Sequence, residues 1–298
     1  MEGEGGPVRR ALLVANPKAR RGPEGVVAAE AALGDAGLAV TVDPITSSKK
    51  IAAAIERAAG RVDLIVIGGG DGTISAALPA LLEARRPLGI LPLGTANNTA
   101  RTLGIPSDLS EAAAVIARGT TRRIDVGCVN GAFFLTTASL GLSVRITDEL
   151  SDASKRRWGP FAYALAAART LARARPFVAE IAHEGGTRRL RAIQIVVGNG
   201  RHYGAGLTVA EGAALDDARL DCYAIEAVPW WRLLALLPAL RSGRQGRKEP
   251  VEAIRARRIV ITTPIPHRID ADGEIVGTTP ATFTVLPEAL EVFVPGNP

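Results

Sequence analysis

Asp63–Leu82 reads DLIVIGGGDGTISAALPALL. A short apolar run, Leu64–Ile67, passes into Gly68, Gly69 and Gly70, then Asp71, Gly72 and Thr73, and a helical pattern begins at Ile74. A buried strand that opens through bare backbone into a helix start is an anion-binding arrangement. Glycine lets backbone N–H groups approach closely, and the helix N-terminus adds partial positive charge. Four glycines exceed what a strand-to-helix turn requires, and Thr73 is placed to cap the helix and to bond a phosphate oxygen. Asp71 would repel phosphate, so its position implies either Mg²⁺ between the two or a proton-accepting network. No Gly-Lys-Ser/Thr follows, as a Walker loop demands, and the dinucleotide fingerprint Gly-x-Gly-x-x-Gly is missing too.

Outward from this loop the pattern repeats. Gly89–Pro106, GILPLGTANNTARTLGIP, is a second strand running through Gly94 and Thr95 into a helix start. In a parallel sheet, loops after neighbouring strands converge at the carboxyl edge, where ligands bind. Upstream, ALLVANP (Ala11–Pro17) and LAVTVDPI (Leu38–Ile45) read as strands, and Glu24–Gly37 and Lys49–Ala59 as helices. Ile74–Ala84 is a helix that Pro79 should kink; Thr95–Leu103 and Glu111–Arg118 are further helices. Strands alternating with short helices predict a three-layer α/β domain with a parallel sheet over residues 8–127.

Beyond Asp125 the texture changes. VGCVNGAFFLTTASLG (Val126–Gly141) predicts a hairpin turning at Asn130-Gly131. Strand-like runs then recur: FVAEIAHEGG, LRAIQIVVGNG, GLTVAEG, RLDCYAIEAV, RRIVITTP, ATFTVLP and LEVFVPG. Residues 128–298 are therefore expected to form an antiparallel β-sandwich, its last strand open to a return into the first domain. Helices are expected at Arg145–Arg175 and Trp230–Leu240, both basic and apolar. The segment Pro229–Lys248, PWWRLLALLPALRSGRQGRK, would as an interfacial helix set Arg241, Arg244, Arg247 and Lys248 near anionic lipid; core packing is its alternative.

Composition sets limits. The 298 residues are 47% hydrophobic and 22% charged, an ordinary globular balance, with net charge +6. That charge suits DNA, anionic lipid or nucleotide alike, and no nucleic-acid reading motif accompanies it. Cys128 and Cys222 stand far apart, which argues against a disulfide framework or a zinc site. His183, His202 and His267 are dispersed. No run approaches the ~20 apolar residues of a membrane span. A cytoplasmic protein with at most peripheral membrane contact is expected.

The motifs Gly68–Thr73, Leu91–Asn98 with Ala100–Pro106, Ile124–Gly141, Val196–Gly206, Leu215–Asp221 and Asp272–Glu274 occur in the order seen in bacterial diacylglycerol kinase-family lipid kinases. The chain resembles that family from Leu12 to Pro295. The first motif is also shared with sphingosine and ceramide kinases and, more distantly, with NAD kinases and phosphofructokinases. The resemblance implies ATP held between two domains by Asn16, Thr46, Gly69, Gly70, Asp71, Gly72, Thr73 and Thr95. It implies Glu274 as proton acceptor in a partly desolvated cleft, and Asp71 and Asp125 in a carboxylate–water network around a catalytic Mg²⁺. It also implies a structural Mg²⁺ on Asp217 and the backbone carbonyls of Ala214 and Arg219, although on the residues alone Asp217 suits an Asx turn equally. Asn98 stands where the family often has Asp, Ala218 where it has Gly, and NPKARRG lacks the usual Ser-Gly, so that this loop touches phosphate through Arg20 or Arg21 or not at all. The implied activity is phosphoryl transfer from ATP to diacylglycerol or a related lipid alcohol at an anionic membrane surface, with a homodimer left open. A small-molecule kinase acting on NAD and a non-catalytic nucleotide- or lipid-binding regulator are the alternatives.

Overall fold

The computed structural model describes residues 8–17, 19–45, 48–141, 175–199, 202–203, 207–208, 215–226 and 251–296. The chain divides into two compact units, residues 1–125 with 287–298, and residues 126–286.

The first unit runs β1 (Arg10–Ala15), α1 (Gly22–Asp35), β2 (Ala39–Pro44), α2 (Ser48–Ala58), β3 (Leu64–Gly69), α3 (Asp71–Ala84), β4 (Leu88–Pro92), α4 (Asn98–Thr102) and α5 (Leu109–Arg118). Its strands are parallel in the order β2-β1-β3-β4. All of β3 and β4 and all but the first residue of β1 are buried, as expected of a sheet covered on both faces. Helices α1 and α5 pack together, as do α2 and α3. From β1 the chain first steps outward to β2, then crosses back to β3 on the other side of β1. Right-handed crossovers in opposite directions put the two helix pairs on opposite faces, and the reversal leaves a switch point between β1 and β3. Asp108 caps α5 by accepting from the N–H groups of Ser110 and Glu111, and Gly119 ends it at φ +82°. Helix α3 runs through Pro79 without interruption.

The second unit holds the end of β5 (Thr121–Val129), then β6 (Ala132–Phe134), β7 (Thr137–Gly141), β8 (Phe177–His183), β9 (Gly186–Gly198), β10 (His202–Tyr203), β11 (Leu207–Thr208), β12 (Leu220–Glu226), β13 (Val251–Ala256), β14 (Arg258–Thr262), β15 (Arg268–Ala271), β16 (Glu274–Thr278) and the start of β17 (Ala281–Phe293). Pairing along β16-β15-β7-β9-β8-β14-β17 is antiparallel, and β12 joins β9 to β13. The β5–β6 turn is Asn130-Gly131 with φ +48° and +90°, the two positive values a two-residue hairpin turn favours. Phe134, Leu140, Ile181, Ile195, Val197, Ile259, Ile261, Ile269 and Phe283 form a fully buried core, each projecting from the inward side of its strand. The result is the expected α/β domain followed by a β-sandwich-like domain.

ATFTVLP and LEVFVPG, read from sequence as two runs, are one thirteen-residue strand. In the second unit Phe283 of β17 pairs antiparallel with Ile259, and in the first unit Val292 pairs parallel with Leu88 of β4. Of the helices expected at 145–175 and 230–240, all but Arg175, which is not helical, lies outside the described residues. Among the described residues no helix is long and apolar enough to cross a membrane.

Candidate nucleotide site and acidic hairpin

The carboxyl ends of four strands finish level. Ala15 is in register with both Pro44 and Gly68, and Gly69 with Pro92. The connections continue the pattern: Asn16 N–H donates to Gly68 O at 3.0 Å, Ile45 N–H to Ala15 O at 2.8 Å, and Leu93 N–H to Gly69 O at 3.1 Å. Asn16, Gly70 and Gly94 therefore emerge along one edge that spans the switch point. Thr46, expected to join them, lies outside the described residues. Thr95 follows Gly94 and is exposed.

The glycines of this edge differ in what they are for. A Cβ on Gly94 would stand 2.4 Å from Gly70 Cα, and one on Gly70 would stand 3.1 Å from Gly94 Cα. The two loops thus meet backbone to backbone: Gly94 has no room for a side chain, and one on Gly70 would require the Gly94 backbone to give by a few tenths of an ångström. A Cβ on Gly69 would collide with Thr73 at 2.6 Å, and one on Gly68 would press Ala15 and Leu93 at 3.2 Å. Gly72 is the exception. A Cβ there meets nothing within 4 Å, and its φ lies outside the positive region. Packing does not require this glycine, at the exposed first turn of α3.

Helix α3 begins at Asp71 with Gly70 as its N-cap and no side-chain cap. Thr73 is the third residue of the helix and is 8% exposed, its side chain over Gly69, so it does not cap the helix as the sequence suggests. Asp71 carries a different load. Its Oδ2 accepts the Asn98 N–H and its Oδ1 the Thr99 N–H, both at 2.9 Å. The carboxylate of one loop thereby caps the helix of the other, where N–H groups otherwise lack partners. Asn97, not singled out in the sequence, completes the joint at φ +48°, its Oδ1 accepting the Gly94 N–H at 3.0 Å and its Nδ2 donating to Gly94 O at 3.1 Å. An Asn after Gly-Thr-Ala is the available signal, because asparagine tolerates the left-handed region.

Asn98 is 9% exposed and its Oδ1 is buried without a hydrogen-bond partner. A buried orphan acceptor carries a desolvation penalty unless something donates to it or coordinates it. Hard oxygen donors suit Mg²⁺ or a water on it, so Asp71 and Asn98 fit such an ion. Among the described residues no group of three or more His, Cys, Asp or Glu is placed to hold a metal. Asp125, 1% exposed on β5, accepts the Glu288 N–H of β17 at 2.9 Å and so ties two strands of the first unit. The Arg21 guanidinium donates to Ser107 O at 3.2 Å.

In the second unit the β15–β16 hairpin is acidic. Asp272, at its turn with φ +49°, receives the N–H groups of Leu135, Thr136 and Thr137 at 2.7, 3.0 and 3.0 Å, and the Thr136 hydroxyl. Burial pushes its carboxyl above the ordinary range while these four donors pull it back. Asp270 accepts the Gly273 N–H at 3.0 Å through Oδ1, its Oδ2 is buried without a partner, and burial pushes its carboxyl up as well. Glu274 is exposed at the start of β16, beside Ile275 at 41% exposure. Within the hairpin, burial falls on Asp270 and Asp272, whose oxygens bond the Gly273 turn and the 135–137 backbone, and not on Glu274.

Further along, Asp217 forms an Asx turn by accepting the Arg219 N–H at 3.0 Å, and its Oδ2 takes a guanidinium N–H of Arg255. Burial pushes the nearby Asp221 carboxyl up to about 6. Asp217 Oδ2 already faces the Arg255 cation, so a metal ion ligated there would have to displace a guanidinium. Ala214 lies outside the described residues.

Residues 10–129 match the diacylglycerol kinase catalytic domain model, and residues 136–294 the YegS C-terminal NAD kinase beta sandwich-like domain model. A diacylglycerol kinase of Mycobacterium tuberculosis is 32% identical over 242 residues, 78% of this chain and 77% of that protein. A diacylglycerol kinase of Bacillus subtilis is 29% identical over 246 residues, 82% and 81% of the two chains. A crystal structure from Bacillus anthracis str. Sterne with a provisional diacylglycerol kinase assignment superposes at TM-score 0.85 and 25% identity, covering 99% of this chain and 98% of its own.

Proposed function

Because this chain belongs to the diacylglycerol kinase family, we propose that it transfers the γ-phosphoryl group of ATP to the hydroxyl of diacylglycerol or a related lipid alcohol. The observation that carries the reading is Gly72, whose missing side chain leaves open space at the first turn of α3 and serves no packing need. At a helix start on the carboxyl edge of a parallel sheet, that space suits a polyphosphate.

In this reading Asn16, Gly69 to Gly72 and Thr95, with Thr46, receive the nucleotide. Asp71 holds the two loops in register and, with Asn98 and Asp125, would support Mg²⁺. The ion, when bound, neutralises charge on the phosphoryl oxygens. Glu274 accepts the acceptor's hydroxyl proton as the new O–P bond forms. The bond from Pγ to the β-phosphate oxygen breaks, and ADP leaves with that electron pair. A general base needs contact with the hydroxyl before anything else, and Glu274 stands exposed at the tip of an edge hairpin. A lipid acceptor entails a peripheral approach to an anionic membrane surface.

The test is transfer of label from γ-labelled ATP, with Mg²⁺, into mixed micelles of diacylglycerol and separately into NAD. Transfer into the lipid that collapses in Glu274→Ala is the expected result. The sandwich family's description names NAD kinase, so labelling of NAD alone would move the acceptor to that class. Bound ATP with no transfer anywhere would make the chain a non-catalytic regulator.

A further inference from the structure

The second unit contains a cation of its own. Strands β12 and β13 pair so that Asp221 lies opposite Arg255. From there the guanidinium reaches two carboxylates, bonding Asp217 Oδ2 through Nη2 and standing with Nε 3.8 Å from Asp221 Oδ1. The carboxylate side chains are 19% and 12% exposed, against 45% for the arginine. Asp217 Oδ1 is meanwhile held by the Arg219 N–H at 3.0 Å, and Ala218 between them has φ +54°. We propose that the Arg255 guanidinium takes the place of a divalent cation in this loop, so that the second unit folds and stays folded without a metal.

The chemistry favours the occupant that is already there. Two carboxylates facing one point repel each other and need a positive partner in a partly buried position. Mg²⁺ meets that need only with near-octahedral oxygen ligands at about 2.0–2.1 Å, and one Asp217 oxygen is bent to the backbone while the other faces the arginine. A guanidinium meets it with a planar fork that keeps its charge at any working pH. Cross-strand pairing also fixes Arg255 opposite Asp221, so little ordering remains when the ion pair forms. A divalent ion entering the loop would have to expel a tethered cation. The inference concerns the stability of the second unit and is independent of the acceptor or activity of the whole protein.

The experiment uses the full chain without nucleotide, dialysed against a chelator. Thermal unfolding is followed with and without millimolar Mg²⁺, and Mn²⁺ binding is measured by electron paramagnetic resonance. Wild type and Asp217→Asn should bind the same amount of Mn²⁺ with the same affinity. Arg255→Ala should unfold several degrees lower in chelator, recover with Mg²⁺, and gain a Mn²⁺ site at least about tenfold tighter than any in wild type, worth ~1.4 kcal/mol. That site should vanish in Arg255→Ala/Asp217→Asn. A wild-type Mn²⁺ site lost in Asp217→Asn would overturn the proposal, as would a Mg²⁺-dependent wild-type transition that Asp217→Asn abolishes. If Arg255→Ala does not fold in either medium, the wild-type and Asp217→Asn comparison still decides. Arg255→Lys, which keeps the charge, should then fold in chelator.

Discussion

Replacing Asp71 by Asn removes one charge and one acceptor from the joint between the two loops of the candidate nucleotide edge. Both carboxylate oxygens accept backbone N–H groups, from Asn98 and Thr99, at 2.9 Å. Hydrogen bonds to an ionised group contribute about 1.5–3 kcal/mol each to stability. The amide keeps one acceptor and turns an NH₂ donor toward the other N–H, so one bond is lost outright and its former partner is left facing a donor. Asp71 is half-buried, which moderates the penalty, and about 2–3 kcal/mol is the expected loss. At ~2–4 °C per kcal/mol for a domain of this size, the transition of the first unit should fall by roughly 5–10 °C. Hydrogen exchange reads the same change locally, since the Asn98 and Thr99 amides should lose protection while those of β1 and β3 keep theirs. Phosphoryl transfer should fall as well, but activity alone does not separate a clamp from a carboxylate that serves only the ion. Unchanged protection at Asn98 and Thr99 in an inactive Asp71→Asn would refute the clamp.

Gly72→Ala should leave stability unchanged or raise it by up to about 1 kcal/mol, because alanine is the better helix residue, while weakening ATP binding in calorimetric titration. Gly94→Ala should instead destabilise the first unit by about 1–3 kcal/mol, since its Cβ would lie 2.4 Å from Gly70 Cα; equal effects of the two would sink the distinction. Burial raises the Asp270 carboxyl, so the folded state binds its proton more tightly than the unfolded chain. Stability from this group is full below the ordinary carboxylate value of about 4 and is lost as pH rises above it through the folded value. Asp270→Asn should therefore flatten the pH dependence of urea unfolding above pH ~4 and be at least as stable as wild type at neutral pH; a steeper profile would contradict the burial argument. Burial holds the Cys222 thiol up at about 12, so alkylation of the native protein with subsequent peptide mapping should label the half-buried Cys128 and spare Cys222 until the second unit unfolds.

Much of the fold was legible because its signals are local. Near-continuous apolar runs in β1, β3 and β4 announce a sheet covered on both faces, and Asn130-Gly131 announces its own turn. What sequence could not give was the continuity of β17. Pro287 and Glu288, the latter at φ +50°, read as a break, yet the strand carries on. It does so because Phe283 and Val292 find partners on strands, β14 and β4, that are remote in sequence. Likewise Asp217 and Arg255 are 38 residues apart, and only the β12–β13 register makes them neighbours.

The site shows the same division at finer grain. The glycine loop reads from sequence as one device, four bare residues for one anion. In the structure Gly68, Gly69 and Gly70 are bare where Ala15, Thr73 and Gly94 crowd them; Ala15 and Gly94 belong to another strand and another loop, and Thr73 to the first turn of the helix that follows. Gly72 alone is bare with nothing of the protein against it. Asp71, which looks like an ill-placed charge in an anion cradle, is the group that joins one loop to the next. A linear pattern records that these residues are small or acidic but not which neighbour makes them so. Within this loop, the glycine that the proposed nucleotide reading assigns to the ligand is therefore found by subtraction, once the three that neighbouring atoms crowd have been accounted for.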